Sequence, residues 1–297
     1  MSPPTLLAVF AHPDDESYIC GGTLARYAAA GVRVVLLCAT RGEAGEIADP
    51  ALASRDELPA GREAELRAAA ERLGIAEIHL LDYQDGTLPT VPFPEGVEQV
   101  SAIVAQVQPT VILTFGPEGV YGHADHVAVH RWAKEAFHLA GRAPTAGSPE
   151  ARVSPPQPPA DFRMANAEPA TPIAVGDMHP VAAPRRLYYC APPRSYYRAV
   201  SERCRANGAP DRYGPRLDVL GVPDELVTTR VDVAAHAPAR LAAIRAHRTQ
   251  LPADHPFATL PDADLHELLA DEYFTRAWPP VPRHSPLETD LFADPAG

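Results

Sequence analysis

Lysine is almost absent from this chain: Lys134 is the only one in 297 residues, and arginine supplies the rest of the 26 basic side chains. Against 38 acidic residues that leaves a net charge of −12. Nucleic-acid and anionic-membrane surfaces need clustered Lys and Arg to neutralise phosphate, so neither kind of partner is expected. Cysteine is scarce too. Cys20, Cys38, Cys190 and Cys204 lie far apart with no CxxC, which argues against a zinc knuckle or disulfide framework and suits reduced thiols in the cytoplasm. Long hydrophobic runs are also missing. The N-terminal run from Leu6 to Phe10 is too short, and lacks the basic flank, for a signal peptide or membrane span.

What the chain has in quantity is apolar residues, 46%, and proline, 34 in all. Its length allows a sizeable core in one large α/β domain or two small ones. The run at 6–10 reads as a buried parallel strand that stops at the polar cluster His12-Pro13-Asp14-Asp15-Glu16. Helices are expected over 17–30, 61–73, 95–108 and 126–139, and strands over 32–39, 78–81 and 110–115. This alternation predicts βαβ units in an α/β, Rossmann-like three-layer fold with a mainly parallel sheet. Its ligand site is expected outside the carboxyl ends of the strands. Residues 142–184 contain ten prolines and read as an irregular excursion. Strands at 187–190 and 227–233 and helices at 238–249 and 263–270 follow as an irregular C-terminal extension. The expected organisation is a single domain, 1–297, with a core at 5–140, C-terminal strands and helices at 185–277, and a surface tail at 278–297.

Two clusters carry chemistry. Three consecutive carboxylates after a strand are costly unless they cap the next helix or a cation sits among them, and His12 beside them favours the cation. His12 and Asp15 can converge on one point while Asp14 projects elsewhere. The second cluster, Gly119-Val120-Tyr121-Gly122-His123-Ala124-Asp125-His126, heads a helix at the same expected sheet edge, and two His flanking an Asp there point to metal binding or catalysis. His130 and His138 read as ordinary helix residues. Together His12, Asp15 and His126 suit Zn²⁺ with an open position, although Fe²⁺, Co²⁺ or Mn²⁺ also accept such a set. Asp14 then remains as general base, and His123, oriented by Asp125, as proton donor or oxyanion partner.

Ala11-His12-Pro13-Asp14-Asp15-Glu16 with His123-Ala124-Asp125-His126 resembles the signature of the LmbE-like, PIG-L family of zinc-dependent N-deacetylases, which act on N-acetylglucosamine conjugates. Thr40 to Glu46, Arg62 to Leu66 and Asp82 to Gly86 are similar to that family as well, and Arg240 to Leu251 is similar to the C-terminal helix of its longer members. The likeness covers residues 5–140 well and the remainder thinly. It implies zinc on His12, Asp15 and His126, Asp14 as the base for the attacking water, and His123 at the tetrahedral intermediate with Asp125 setting its protonation. It further implies that Tyr121 helps polarise the amide carbonyl and that Arg62 and Asp85 hold the sugar or its aglycone. An anionic group on the substrate would meet an Arg fork, for which Arg41 and Arg62 are the candidates. The implied substrate is a small aminosugar conjugate of the glucosaminyl-malate or glucosaminyl-inositol type, an intermediate of bacillithiol- or mycothiol-type thiol synthesis; a homo-oligomer is compatible with it. The rival readings are a deacetylase of another acetylated sugar or glycoconjugate, a metal-dependent hydrolase of another bond such as a phosphoester, and a non-catalytic sugar- or nucleotide-binding module. No GxGxxG follows the first strand, which disfavours a dinucleotide site.

Overall fold

The computed structural model describes residues 3–142, 183–282 and 284–293; nearly all of the proline-rich excursion lies outside these described residues. β1 (Thr5–Phe10), β2 (Arg33–Thr40), β3 (Glu77–Tyr83), β4 (Val111–Phe115) and β5 (Arg186–Cys190) pair in parallel. β6 (Thr229–Asp232) and β7 (Asp271–Trp278) join antiparallel, giving one sheet in the order β3-β2-β1-β4-β5-β7-β6. Every residue of β1 and β4 is buried, as strands covered on both faces should be.

The helices explain that cover. α1 (Asp15–Ala29) and α2 (Leu58–Leu73) link β1 to β2 and β2 to β3, whereas α3 (Phe93–Val107) carries the chain back across the sheet to β4. Next come a single turn α4 (Gly119–Gly122) and α5 (Ala124–Ala140). Because parallel crossovers are right-handed, the reversal after β3 puts α1 and α2 on one face and α3 and α5 on the other. The order therefore reverses between β1 and β4, where adjacent loops part and leave a crevice. Phe10 and Phe115, at the carboxyl ends of those two strands, pack edge to face at 5.1 Å and form its apolar floor.

The C-terminal part adds α6 (Arg194–Ala206), α7 (Ala237–Ile244), the short α8 (Pro256–Thr259) and α9 (Asp262–Leu268). Three expectations change here. The helix read over 238–249 ends at Ile244 and gives way to a separate 3₁₀ turn at Arg248–Gln250. Two elements were not anticipated. α6 buries only Val200, Ser201 and Cys204, too narrow a stripe to stand out, and β7 points Glu272, Phe274 and Arg276 inward, so charges occupy positions where an apolar alternation would mark a strand. Within the segment read as a surface tail, part of the chain is anchored: Leu291 is fully buried, Asp290 accepts from the Tyr27 hydroxyl at 2.8 Å, and Glu288 accepts from Arg276 at 2.6 Å.

α1 is not continuous. Cys20 leaves the helical region (φ −149°, ψ 19°), and the amides of Gly22 and Thr23 donate to Glu272 of β7 at 2.8 and 2.7 Å. A Cβ on Gly22 would lie 2.7 Å from the Val233 side chain, so the glycine permits this close approach. Among the described residues no helix is long and apolar enough to cross a membrane.

Candidate active site

The loops after β1 and β4 meet at the crevice. His12 Nδ1 stands 3.2 Å from His126 Nε2 and 3.5 Å from Asp15 Oδ2, and His126 Nε2 is 3.3 Å from Asp15 Oδ1. Donors held 2.0–2.1 Å from a tetrahedral ion lie about 3.3 Å apart. The separations have that size, Asp15 facing His12 through Oδ2 and His126 through Oδ1, and the outer hydrogen bonds leave the two imidazole nitrogens as donors to a metal. His126 Nδ1 donates to the Gly119 carbonyl at 3.2 Å, freeing Nε2. His12 Nε2 faces Asp85 Oδ1 at 3.0 Å and Asp125 Oδ2 at 3.2 Å, which places its proton there and leaves Nδ1 inward. The residues present therefore fit a divalent cation. Two other triads, His12-His123-His126 and His12-Asp85-Asp125, also gather within ligand range, but Asp85 and Asp125 are already turned to the outer nitrogen of His12.

The electrostatics agree. Burial alone would lower the His12 imidazole, but hydrogen bonds to Asp125, Asp15 and Asp85 outweigh it and raise it well above its ordinary value. Burial pushes His126 down to about 4, with His12 and His123 adding to the effect and Asp15 opposing it. Asp15, which burial would raise, is held well below the carboxylate range by His126 and His12. Asp15, Asp85 and Asp125 thus surround His12 with carboxylates, whose negative charge a dication at the inner nitrogens would offset.

Backbone strain frames the site. Asp14 sits at φ 132° and Val120 at φ 68°, both unusual for residues with a Cβ. Gly119 at φ 62° presents its carbonyl to His126, and a Cβ there would lie 2.9 Å from Val127 Cγ2. Asp14 is held by Arg62, whose Nη2 donates to Asp14 Oδ2 at 3.1 Å and to the Pro13 carbonyl at 2.6 Å. Burial pushes the Asp14 carboxyl up to about 6, with Asp15 adding to this and Arg62 pulling it back.

The other expected residues fall in different places. His123 caps α5, and its Nδ1 accepts the Asp125 amide at 3.3 Å, so its ring proton belongs on Nε2. The Asp125 carboxylate, read as orienting His123, faces His12 and accepts from the Gly86 and Leu88 amides at 2.7 and 3.2 Å. Asp85, read as a substrate contact, faces His12 and accepts the Ala44 amide at 3.1 Å. Arg62 is buried and its Nη1 also holds the Gly42 carbonyl at 2.7 Å, so its guanidinium grips protein on both sides. Gly42 must be glycine: at φ 67° a Cβ would come within 2.1 Å of Arg62 Nη1. The structure does not bring Arg41 to the site. It pairs with Glu63 at 3.0 Å and Asp82 at 2.6 Å at the outer rim. Tyr121 stands half-exposed at the mouth, its ring 5.5 Å from that of His126 and 5.6 Å from the Arg216 guanidinium.

Beside Asp14, Asp15 and His126 opens a cavity of about 300 Å³. Six of the chain's ten tyrosines line it: Tyr18, Tyr121, Tyr196, Tyr197, Tyr213 and Tyr273. Five of these were not expected, because they come from separate segments and carry no local pattern. Replacing Asp125 with Asn should lower metal affinity about 10- to 100-fold, since the amide holds the His12 proton less firmly; metal titration of the apoprotein measures this, and unchanged affinity would refute the outer role given to Asp125.

Residues 7–137 match the PIG-L family, described as GlcNAc-PI de-N-acetylase. A curated relative from Geodermatophilus obscurus, named 1D-myo-inositol 2-acetamido-2-deoxy-alpha-D-glucopyranoside deacetylase, is 35% identical over 97% of this chain and 97% of its own. Among solved structures, N,N'-diacetylchitobiose deacetylase from Pyrococcus horikoshii aligns with TM-score 0.54 and 21% identity, covering 84% of this chain and 72% of that one. The 4-carboxy-2-hydroxymuconate hydratase GalB from Pseudomonas putida KT2440 aligns with TM-score 0.56 and 18% identity over 95% of this chain and 100% of that one. A hydratase and a deacetylase thus share the architecture, so at these identities the fold alone does not fix the reaction. The near-full-length relative does, and the chain belongs to the PIG-L, LmbE-like family of N-acetylglucosamine deacetylases, hydrolases of amide C–N bonds.

Proposed function

We propose that this enzyme removes the N-acetyl group from a glucosamine linked to a small polyol, with zinc as its metal and His12, Asp15 and His126 as the ligands. The observation that carries the reading is the triangle of donor atoms at 3.2–3.5 Å directly beside Asp14 and the tyrosine-lined cavity. The name of the Geodermatophilus relative supports inositol as the polyol and mycothiol-type synthesis as the setting. The cavity supports it too, because tyrosine faces stack on the C–H faces of rings while their hydroxyls meet ring hydroxyls. Four free, buried cysteines suit a cytoplasmic compartment.

A bound dication would polarise the amide carbonyl and acidify water. The chain does the rest. Asp14 takes the proton of the attacking water, and a carboxyl poised near 6 is ionised yet basic enough for this at neutral pH. Arg62 fixes the direction of that carboxylate. His123 offers Nε2–H as a hydrogen bond to the oxyanion, the proton taken by Asp14 passes to the leaving amine, and the Tyr121 hydroxyl approaches the carbonyl from the mouth. Asp85 and Asp125 hold His12 in the tautomer that ligation needs. Acetate release from N-acetylglucosaminyl-inositol should exceed that from N-acetylglucosaminyl-malate by at least about tenfold in kcat/KM, a preference of about 1.4 kcal/mol in transition-state binding. Preference for the malate conjugate would overturn the choice of polyol, and turnover confined to phosphoesters would overturn the reaction.

A further inference from the structure

We infer that Glu16 and His247 form a positioning pair for Asp14, fixing the base from behind through its backbone. Asp14 holds φ 132°, ψ −28°, a conformation that persists only where its surroundings over-determine it. Glu16 provides the restraint: its Oε2 accepts the Asp14 N–H at 3.0 Å. Its Oε1 accepts from the Ser17 hydroxyl at 2.6 Å and from His247 Nε2 at 2.8 Å. Glu16, Ser17 and His247 are all fully buried. A carboxylate this deep needs partners, and His247 is its only ion-pair partner among the described residues.

His247 arrives from the turn that follows α7, and that turn is anchored independently. The amide and hydroxyl of Thr249 donate to Glu65 of α2 at 2.8 and 2.7 Å, and the Thr249 carbonyl accepts the Ala48 amide at 2.8 Å. A rigid support far along the chain therefore presses on Glu16, and Glu16 on the peptide of Asp14. Arg62 grips the same residue from the other side through its carboxylate and the preceding carbonyl. Neither Glu16 nor His247 lines the cavity, whereas Asp14 does, so the pair acts on the reaction through Asp14. Without His247, Glu16 loses the partner that holds Oε1 in place and is free to turn, and the Asp14 peptide loses its acceptor.

The inference rests on Asp14 as the base, and the experiment separates the two. His247→Gln, Glu16→Gln and Ser17→Ala are each made in the natural protein and in Asp14→Ala, reconstituted with Zn²⁺, and read for kcat, KM, metal content and thermal melting. His247→Gln and Glu16→Gln should lower kcat about 10- to 100-fold, with KM within about twofold and metal retained, as expected for a base displaced by a fraction of an ångström to an ångström. Ser17→Ala, which removes one donor and leaves no buried charge, should lower kcat about two- to fivefold. In Asp14→Ala none of the three should cost more than about twofold further, because partners in one network are non-additive. Losses that persist undiminished in Asp14→Ala, or that appear in KM or metal content, overturn the positioning role. If His247→Gln does not melt cooperatively, Ser17→Ala decides alone. Full turnover by Asp14→Ala itself overturns the base assignment instead.

Discussion

Asp14→Ala is expected to keep one divalent ion per chain and to lose about 10²–10⁴-fold in kcat, the range a general base contributes. Retention of the metal follows from where the side chain points. Its ion-pair partner is Arg62 at 3.1 Å, whereas the triangle is built from His12, His126 and Asp15. Arg62 keeps the Pro13 and Gly42 carbonyls as acceptors without it. Asp14→Asn provides the comparison: it keeps the shape, and asparagine tolerates positive φ better than alanine, but it cannot take a proton. Metal analysis and acetate release on both variants make the test, and a metal-free Asp14→Ala protein would falsify the division of roles between Asp14 and Asp15.

His126→Ala should do the reverse and abolish metal retention, and turnover with it. One of three ligands disappears, so affinity should fall by more than the roughly 10- to 100-fold seen when an outer partner is removed. The loss reaches further than coordination. The His126 ring stacks on Phe115 at 4.0 Å and 3°, and its Nδ1–H satisfies the Gly119 carbonyl in the strained turn. Stranding that buried acceptor and opening a hole beside Phe115 should cost about 1–3 kcal/mol of stability from the hydrogen bond alone. Metal content after dialysis and a denaturant melt report the two losses separately. A variant that still held stoichiometric metal with unchanged affinity would remove His126 from the ligand set.

The meeting of His12, Asp15 and His126 was legible in the sequence because each half is local: a buried strand ends in His12 to Asp15, and a second ends near His123 to His126. Two such ends in a parallel sheet must share an edge. What the sequence could not disclose was direction. Arg41 and Arg62 look alike on paper, yet one closes a rim ion pair and the other grips the peptide of the base. Asp85 and Asp125 both turn to the outer nitrogen of His12, a meeting that depends on how the loops after β3 and β4 pack. His247 stood in a stretch similar to the family but was read as helix, because nothing in Arg245 to Gln250 marks the stop after Ile244. β7 escaped notice for an electrostatic reason: Glu272 and Arg276 point inward to meet Arg240 at 3.0 Å and Glu288 at 2.6 Å.

β7 also sets the order in which the molecule can assemble. Among the described residues β6 pairs with no strand of the sheet other than β7, yet the chain emits Thr229–Asp232 well before Asp271–Trp278. During synthesis, which completes N-terminal regions first, β1 to β5 can pair while β6 waits with its ladder donors and acceptors open to solvent. The carboxylate that receives the freed amides of Gly22 and Thr23 belongs to that same late strand. The kink in α1 therefore cannot be fastened to Glu272 until β7 has been synthesised, so the nascent chain carries the loops after β1 and β4 before the strand that braces α1.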